Sequence, residues 1–176
     1  AVQAIKKAHD IGWKPLHLLN SVSSSYGVVL KPAGLDASKG VVTVFYLKDP
    51  TDPQWKDDPA MKAWRSWMQK YYPEGNLQDP FNVYAYTVAQ TVVHVLKQCG
   101  NDLSRANVMK QAASIKDLSL PLLLPGIKVN TGPSDYYPVE QEQLAKFDGE
   151  RWVLFGDIYD AGKLKYTRAV LDETMR

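Results

Sequence analysis

The chain has 176 residues, 45% of them hydrophobic, enough for one ordinary domain or two small lobes with a real core. Its 21 basic and 19 acidic residues leave a formal charge of +2, and no run of Lys or Arg is long enough to track a phosphate backbone or a membrane surface, so no nucleic acid is expected as a partner. No apolar run approaches the roughly 18–20 residues that cross a bilayer, no basic region followed by an apolar stretch opens the chain, and the single cysteine, Cys99, reads as a packing residue.

Ala1, Ala4, Ile5, Ala8 and Ile11 recur at helical spacing and predict an amphipathic helix ending at Gly12. No cap or lead-in precedes it, which is expected of a fragment of a longer protein. Residues 16–19 then read as a buried strand that ends abruptly in Asn20 and Ser21, with three further serines at 23, 24 and 25. Ser21 or Ser23 can cap a helix from about Val22 to Leu30, which Lys31-Pro32-Ala33-Gly34 stops. Residues 40–47, rich in β-branched and aromatic side chains, predict a second strand of the same sheet. Helix, strand, helix and strand in series argue for right-handed parallel crossovers, hence the α/β class.

Residues 48–60 hold three prolines and four aspartates, resist both helix and strand, and read as a crossover between lobes. Asp58-Pro59 opens a helix with Met61, Trp64, Trp67 or Met68, and Tyr71 on one face, a spacing that reads as core rather than as a stacking platform. Asp79-Pro80 opens a long helix to Gly100. Its polar stripe (Thr87, Gln90, Thr91, His94, Lys97, Gln98) is expected in solvent, opposite a wide apolar face of Val88, Ala89, Val92, Val93, Val95 and Leu96. A shorter helix follows the cap Ser104, with Leu103 and Val108 at the spacing of a hydrophobic staple. Residues 118–126 read as a buried irregular segment or short edge strand, and residues 141–147 and 151–158 flank Asp148-Gly149-Glu150 as a hairpin. Residues 163–176 suggest a short surface helix.

Reaction machinery is thin. His9, His17 and His94 form no HExxH or Cys/His pattern that would hold a metal, and GxSxG, phosphate-loop and GxGxxG signatures are absent. A serine nucleophile within residues 21–25 served by His17 lacks an orienting acid at a recognisable position. Asp49, Asp52, Asp57 and Asp58 read as solvated or capping groups. No catalytic residue, metal or cofactor is therefore expected. What remains is a binding site, in which N–H groups at the helix start after Ser21 and the neighbouring hydroxyls hold a carboxylate or amide. A serine-rich cap with nothing bound fits the same residues. Asn82 and Tyr84, at the positive end of the long helix, either face a ligand or simply cap and cover the helix start.

The order of AIKKAHDIGWKPLHLLNSVSSS, KGVVTVFYLKDPTDPQW, PFNVYAYTVAQTVVHVLKQCG and FDGERWVLFG resembles the C-terminal half of a type I periplasmic solute-binding protein, in the branched-chain amino-acid branch of ABC uptake systems, over residues 1–158. The resemblance implies two parallel-sheet lobes that close over a small solute. Residues 1–48 would belong to the C-terminal lobe, 49–57 to an interlobe crossover, 58–140 to the N-terminal lobe and 141–160 to a closing hairpin and return crossover, with 161–176 a tail. It implies a non-enzymatic receptor without cofactor, periplasmic or lipid-anchored outside a Gram-positive cell, whose partners are ABC permease subunits and the missing N-terminal half. A ligand-sensing regulatory domain of the same fold is the competing reading. Implied ligand contacts are Asn20, Ser21, Val22, Ser23 and Ser24 from one lobe, and Phe81, Asn82 and Tyr84 from the other. In amino-acid binders of this type an acidic residue in the loop after this strand pairs with the ligand ammonium, and Ser21 matches its place. No carboxylate stands nearby in the sequence, and a buried ammonium without a charge partner costs on the order of several kcal/mol. That departure points to aromatic or other organic acids ahead of branched-chain amino acids.

Overall fold

Three antiparallel strands, in the order β1 (Val42–Phe45), β2 (Gln141–Phe147) and β3 (Trp152–Asp160), organise residues 1–163, which the computed structural model describes. Val42 pairs with Lys146 and Phe45 with Gln143, while Phe147 faces Trp152 beside the hairpin turn. Asp148 builds that turn, its carboxylate accepting the N–H groups of Glu150 and Arg151 at 2.8 Å, and Gly149 supplies the left-handed φ of +111°. The expected parallel pairing occurs at one place. Leu18 bridges Val42, with the Leu19 N–H on the Val42 carbonyl (2.8 Å) and the Val42 N–H on that of His17 (2.9 Å).

Residues 16–19 are not the buried strand expected from their composition. They make a single bridge, and Leu16 and Leu18 are 77% and 70% exposed, because β1 is their one strand neighbour and no second layer covers their outer face among the described residues. Nor is the next segment one continuous helix. Asn20, not Ser21 or Ser23, caps a 3-10 turn over Ser21–Ser23, and Ser25 caps a π-turn over Tyr26–Leu30. The π-turn runs directly into α2 (Lys31–Ala33). Pro32 does not stop the chain, since it falls in the first turn, where no donor is missed; Gly34, at φ +99°, ends it before α3 (Leu35–Ser38). The predicted first helix forms as α1 (Val2–Asp10), and its Ile5 packs with Leu30, Ala33, Val41, Ala145, Phe147 and Trp152.

The capping signals downstream act as read. The Asp58 carboxylate accepts the Met61 N–H at 2.9 Å to start α4 (Pro59–Tyr71), and Asp79 accepts the Phe81 N–H at 2.9 Å to start α5 (Pro80–Cys99). Met61, Trp64 and Met68 are buried with Val83 and Leu122, whereas Trp67 and Tyr71 lie on the exposed side. The orientation of α5 departs in part from the expectation, although Val95 is buried and Lys97 and Gln98 are exposed as expected. Thr87 is buried with Val83, Val95 and Cys99, while Val88, Val92, Val93 and Leu96 are exposed. Thr87 tolerates burial because its hydroxyl donates to the Val83 carbonyl at 2.9 Å. Val95 and Cys99 pack with Ile115 and with the irregular segment carrying Leu123, Leu124, Ile127 and Val129, next to α6 (Arg105–Ala112). Leu103 stays exposed ahead of α6. Among the described residues no helix is long and apolar enough to cross a membrane. Ala161–Lys163 is a 3-10 turn, and the rest of the expected tail helix lies outside the described residues.

Candidate functional site

Because residues 17–19 run parallel to β1, the loops that follow the two segments emerge at the same edge of the sheet. The first loop is the serine turn. The second is residues 46–49, and the first turn of α5 faces both. Together they enclose a cavity of about 320 Å³, lined by Ser21, Val22, Ser24 and Ser25, by Val44 to Asp49, and by Pro80, Phe81 and Tyr84. The size suits a small organic molecule, and most of the wall is aliphatic or aromatic.

Of the residues singled out from sequence, Ser21, Val22, Ser24, Phe81 and Tyr84 line this cavity, and Asn20, Ser23 and Asn82 do not. Local geometry explains the three exceptions. The Asn20 side chain accepts the Val22 N–H at 2.9 Å, the Ser23 N–H bonds the Asn20 carbonyl inside the 3-10 turn, and the Asn82 amide donates to the Asn76 carbonyl at 2.9 Å. Because no long helix starts at Ser21, a helix dipole adds little there, and the hydroxyls supply the polar character instead. Ser24 donates to the Ser21 carbonyl at 2.6 Å and Ser25 accepts the Val28 N–H at 3.3 Å. Among the described residues the Ser21 hydroxyl has no hydrogen-bond partner.

Lys48 and Asp49 were not foreseen as cavity residues, and they correct the expectation that no carboxylate stands near Ser21. Both are buried, as is Asp52, so three groups of the Asp/Pro-rich segment are not solvated. The Lys48 ammonium lies 2.7 Å from an Asp58 oxygen and 5.1 Å above the Trp55 ring. Asp49 Oδ1 accepts the Thr51 N–H at 2.8 Å and its hydroxyl at 2.7 Å. Burial raises the Asp49 carboxyl above the ordinary carboxylate range, against the Thr51 hydrogen bonds. Asp52 caps Pro53–Trp55 and meets Arg151 at 3.3 Å. Asp57, by contrast, is exposed and pairs with Lys62. The signal for Asp49 was present in the sequence: two adjacent parallel segments end at one edge, so the residues after the second share a crevice with those after the first.

Tyr46 and Tyr84 also line a second cavity of about 390 Å³ with Thr87, Thr91 and Glu142. Burial, then Tyr84 and Glu142, push the Tyr46 hydroxyl pKa up, and burial raises Glu142. His17 lines a different cavity, against α1 and away from the serines, so it does not serve a serine nucleophile in this arrangement.

The family model described as periplasmic binding protein matches residues 1–142. The chain belongs to the periplasmic binding protein family. Its fold is that of a possible leucine/isoleucine/valine-binding protein from Rhodopirellula baltica SH 1 (17% identity, TM-score 0.68) and of a branched-chain amino-acid ABC transporter protein from Thermus thermophilus with bound valine (16%, 0.70). A leucine-binding protein from Thermotoga maritima MSB8 shares it as well (11%, 0.63). These matches cover 88%, 94% and 93% of this chain but only 39%, 45% and 42% of the respective structures, so the chain spans less than half the length of each. No curated protein matches it. The type I fold expected from the segment order is therefore present.

Proposed function

We propose that this periplasmic binding protein chain is part of a non-enzymatic, extracytoplasmic receptor that closes two lobes over a small organic solute and delivers it to the membrane subunits of an ABC importer. The observation that carries the reading is the shared cavity, one wall of which is the serine turn and the end of β1 and the other the start of α5. On this reading residues 1–48 belong to one lobe and 58–140 to the other, residues 49–57 cross between them, the hairpin 141–160 returns, and the remaining part of the fold comes from an N-terminal half. Closure would turn ligand occupancy into a shape the permease recognises.

The solute carries a carboxylate on an apolar body, aromatic acids standing ahead of branched-chain amino acids. Support comes from the Ser21 hydroxyl, which has no partner among the described residues and can donate to a carboxylate, and from the walls of Val22, Phe45, Tyr46, Phe81 and Tyr84. Thermal-shift screening of the full-length protein with aromatic acids, aliphatic acids and branched-chain amino acids tests this, because a ligand bound only by the folded state raises the melting temperature by mass action. A shift with aromatic acids is expected. Stabilisation by leucine alone overturns the preference for acids, and no shift with any class overturns the receptor reading. Ser21→Glu is expected to weaken a carboxylate ligand by like charge.

A further inference from the structure

We propose that Asp49 accepts a hydrogen bond from a donor group of the solute, so that the preferred solute carries an ammonium or hydroxyl group in addition to its acid. This rests on the receptor reading above and deepens it. Asp49 is 8% exposed and lines the cavity shared with Ser21, Phe81 and Tyr84; the other space it borders, beside Asp52, Trp55 and Trp152, is only about 10 Å³ and too small for a solute. Its two oxygens are treated differently. Oδ1 takes both Thr51 donors, while Oδ2 accepts no hydrogen bond among the described residues.

The nearest cation in sequence is committed elsewhere, because the Lys48 ammonium is held by Asp58 at 2.7 Å. Arg151 is likewise committed, 3.3 Å from Asp52. The turn at Thr51 does not require a carboxylate, since an asparagine oxygen would accept the same two bonds without the cost of burying a charge. The charge and the free oxygen are thus surplus to the local fold. In a cavity walled by Phe45, Leu47 and Phe81, a donor that meets Oδ2 is worth more than it would be in water.

Calorimetric titration of the full-length protein and its Asp49→Asn variant with three probes on one ring size tests the assignment: benzoate, 4-hydroxybenzoate and L-phenylalanine. Wild type is expected to prefer a probe that carries a donor over benzoate. Asp49→Asn should weaken that probe by about ten- to a hundredfold, the range of a hydrogen bond to a charged group, and leave benzoate unchanged or tighter. A loss confined to phenylalanine identifies the ammonium as the donor, and a loss confined to 4-hydroxybenzoate identifies the hydroxyl. Equal changes for all three probes, or none, overturn the role of Asp49 while leaving the receptor intact. Wild-type protein that binds none of the three overturns the acid-receptor reading and the assignment with it. A melting curve no lower for the variant than for wild type shows that its fold is kept.

Discussion

The indole N–H of Trp152 donates to the carbonyl of Ser24 across 3.0 Å, joining β3 to a turn near the other end of the chain. The same ring is buried edge-on against Phe45 (5.6 Å) and Phe147 (5.4 Å). One side chain thus fills the core behind the sheet and holds the backbone that carries Ser21 and Ser24 into the cavity. Trp152→Phe keeps an aromatic ring but leaves a buried carbonyl without its donor, and is expected to cost about 1–3 kcal/mol. Trp152→Ala adds a cavity and should cost about 3–5 kcal/mol. Urea denaturation followed by circular dichroism measures both, and a Phe variant as stable as wild type would show that this bond does not hold the turn.

Lys48 and Asp58 connect the second cavity loop to the start of α4, and the two Asp58 oxygens divide the work. Oδ2 meets the Lys48 ammonium at 2.7 Å and Oδ1 accepts the Met61 N–H at 2.9 Å. Burial pushes the Asp58 carboxyl up, but the bonds from Lys48 and from Met61 outweigh it and leave it below the ordinary range. A lowered folded pKa gives stability that is present above the unfolded value and lost as pH falls through the folded one, here below about pH 4. Asp58→Asn leaves the buried Lys48 charge without an anionic partner and should cost about 3 kcal/mol. Asp58→Ala also removes the cap and should cost about 1 kcal/mol more. Both variants should lose part of the acid dependence of wild type, which unfolding curves from pH 7 to pH 2 would reveal.

What was legible in the sequence was what is local. Asp58-Pro59, Asp79-Pro80 and Asp148-Gly149 each act within one turn of chain, and each places an element boundary where the structure has it. Burial depends on what lies opposite, and there the pattern misled. Val88 and Val92 are apolar yet exposed, while Thr87 finds a carbonyl on its own helix and goes inside. Leu16 and Leu18 are likewise uncovered. The serine turn and the first turn of α5 were visible as polar and aromatic groups at element ends. Asp49 was hidden by its surroundings, because a segment rich in Asp and Pro resembles a solvated connection until the parallel pairing of Leu18 with Val42 puts it beside Ser21.

Asp49 also predicts how stability depends on pH. Burial is the largest influence on its carboxyl and raises it, so the folded state favours the protonated form more than the unfolded state does. Stability from this group therefore falls as pH rises from the unfolded value near 3.9 through the higher folded value, and is level above it. Asp49→Asn carries no charge at any pH and retains an oxygen for the Thr51 donors. It should melt above wild type at pH 7, with a margin that shrinks toward pH 4. Scanning calorimetry at several pH values checks this, and a variant that melts lower at pH 7 would mean that the charge itself supports the fold.

The exposed face of α5 gives the remaining prediction. Val88, Val92, Val93 and Leu96 are between 42% and 51% exposed, Val88 and Val92 beside the second cavity, and form an apolar stripe of the kind that drives association. Val92 is 51% exposed at the edge of the second cavity, so replacing it by lysine removes little buried contact, and it exchanges a β-branched residue for a better helix former. Val92→Lys in the 176-residue chain should therefore change unfolding free energy by no more than about 0.5 kcal/mol, the range of surface substitutions, and should reduce concentration-dependent scattering. Equilibrium unfolding and light scattering on the same samples separate the two effects. A loss of several kcal/mol would mean that Val92 is covered in solution, and the stripe would then be an interface already formed by this chain with itself.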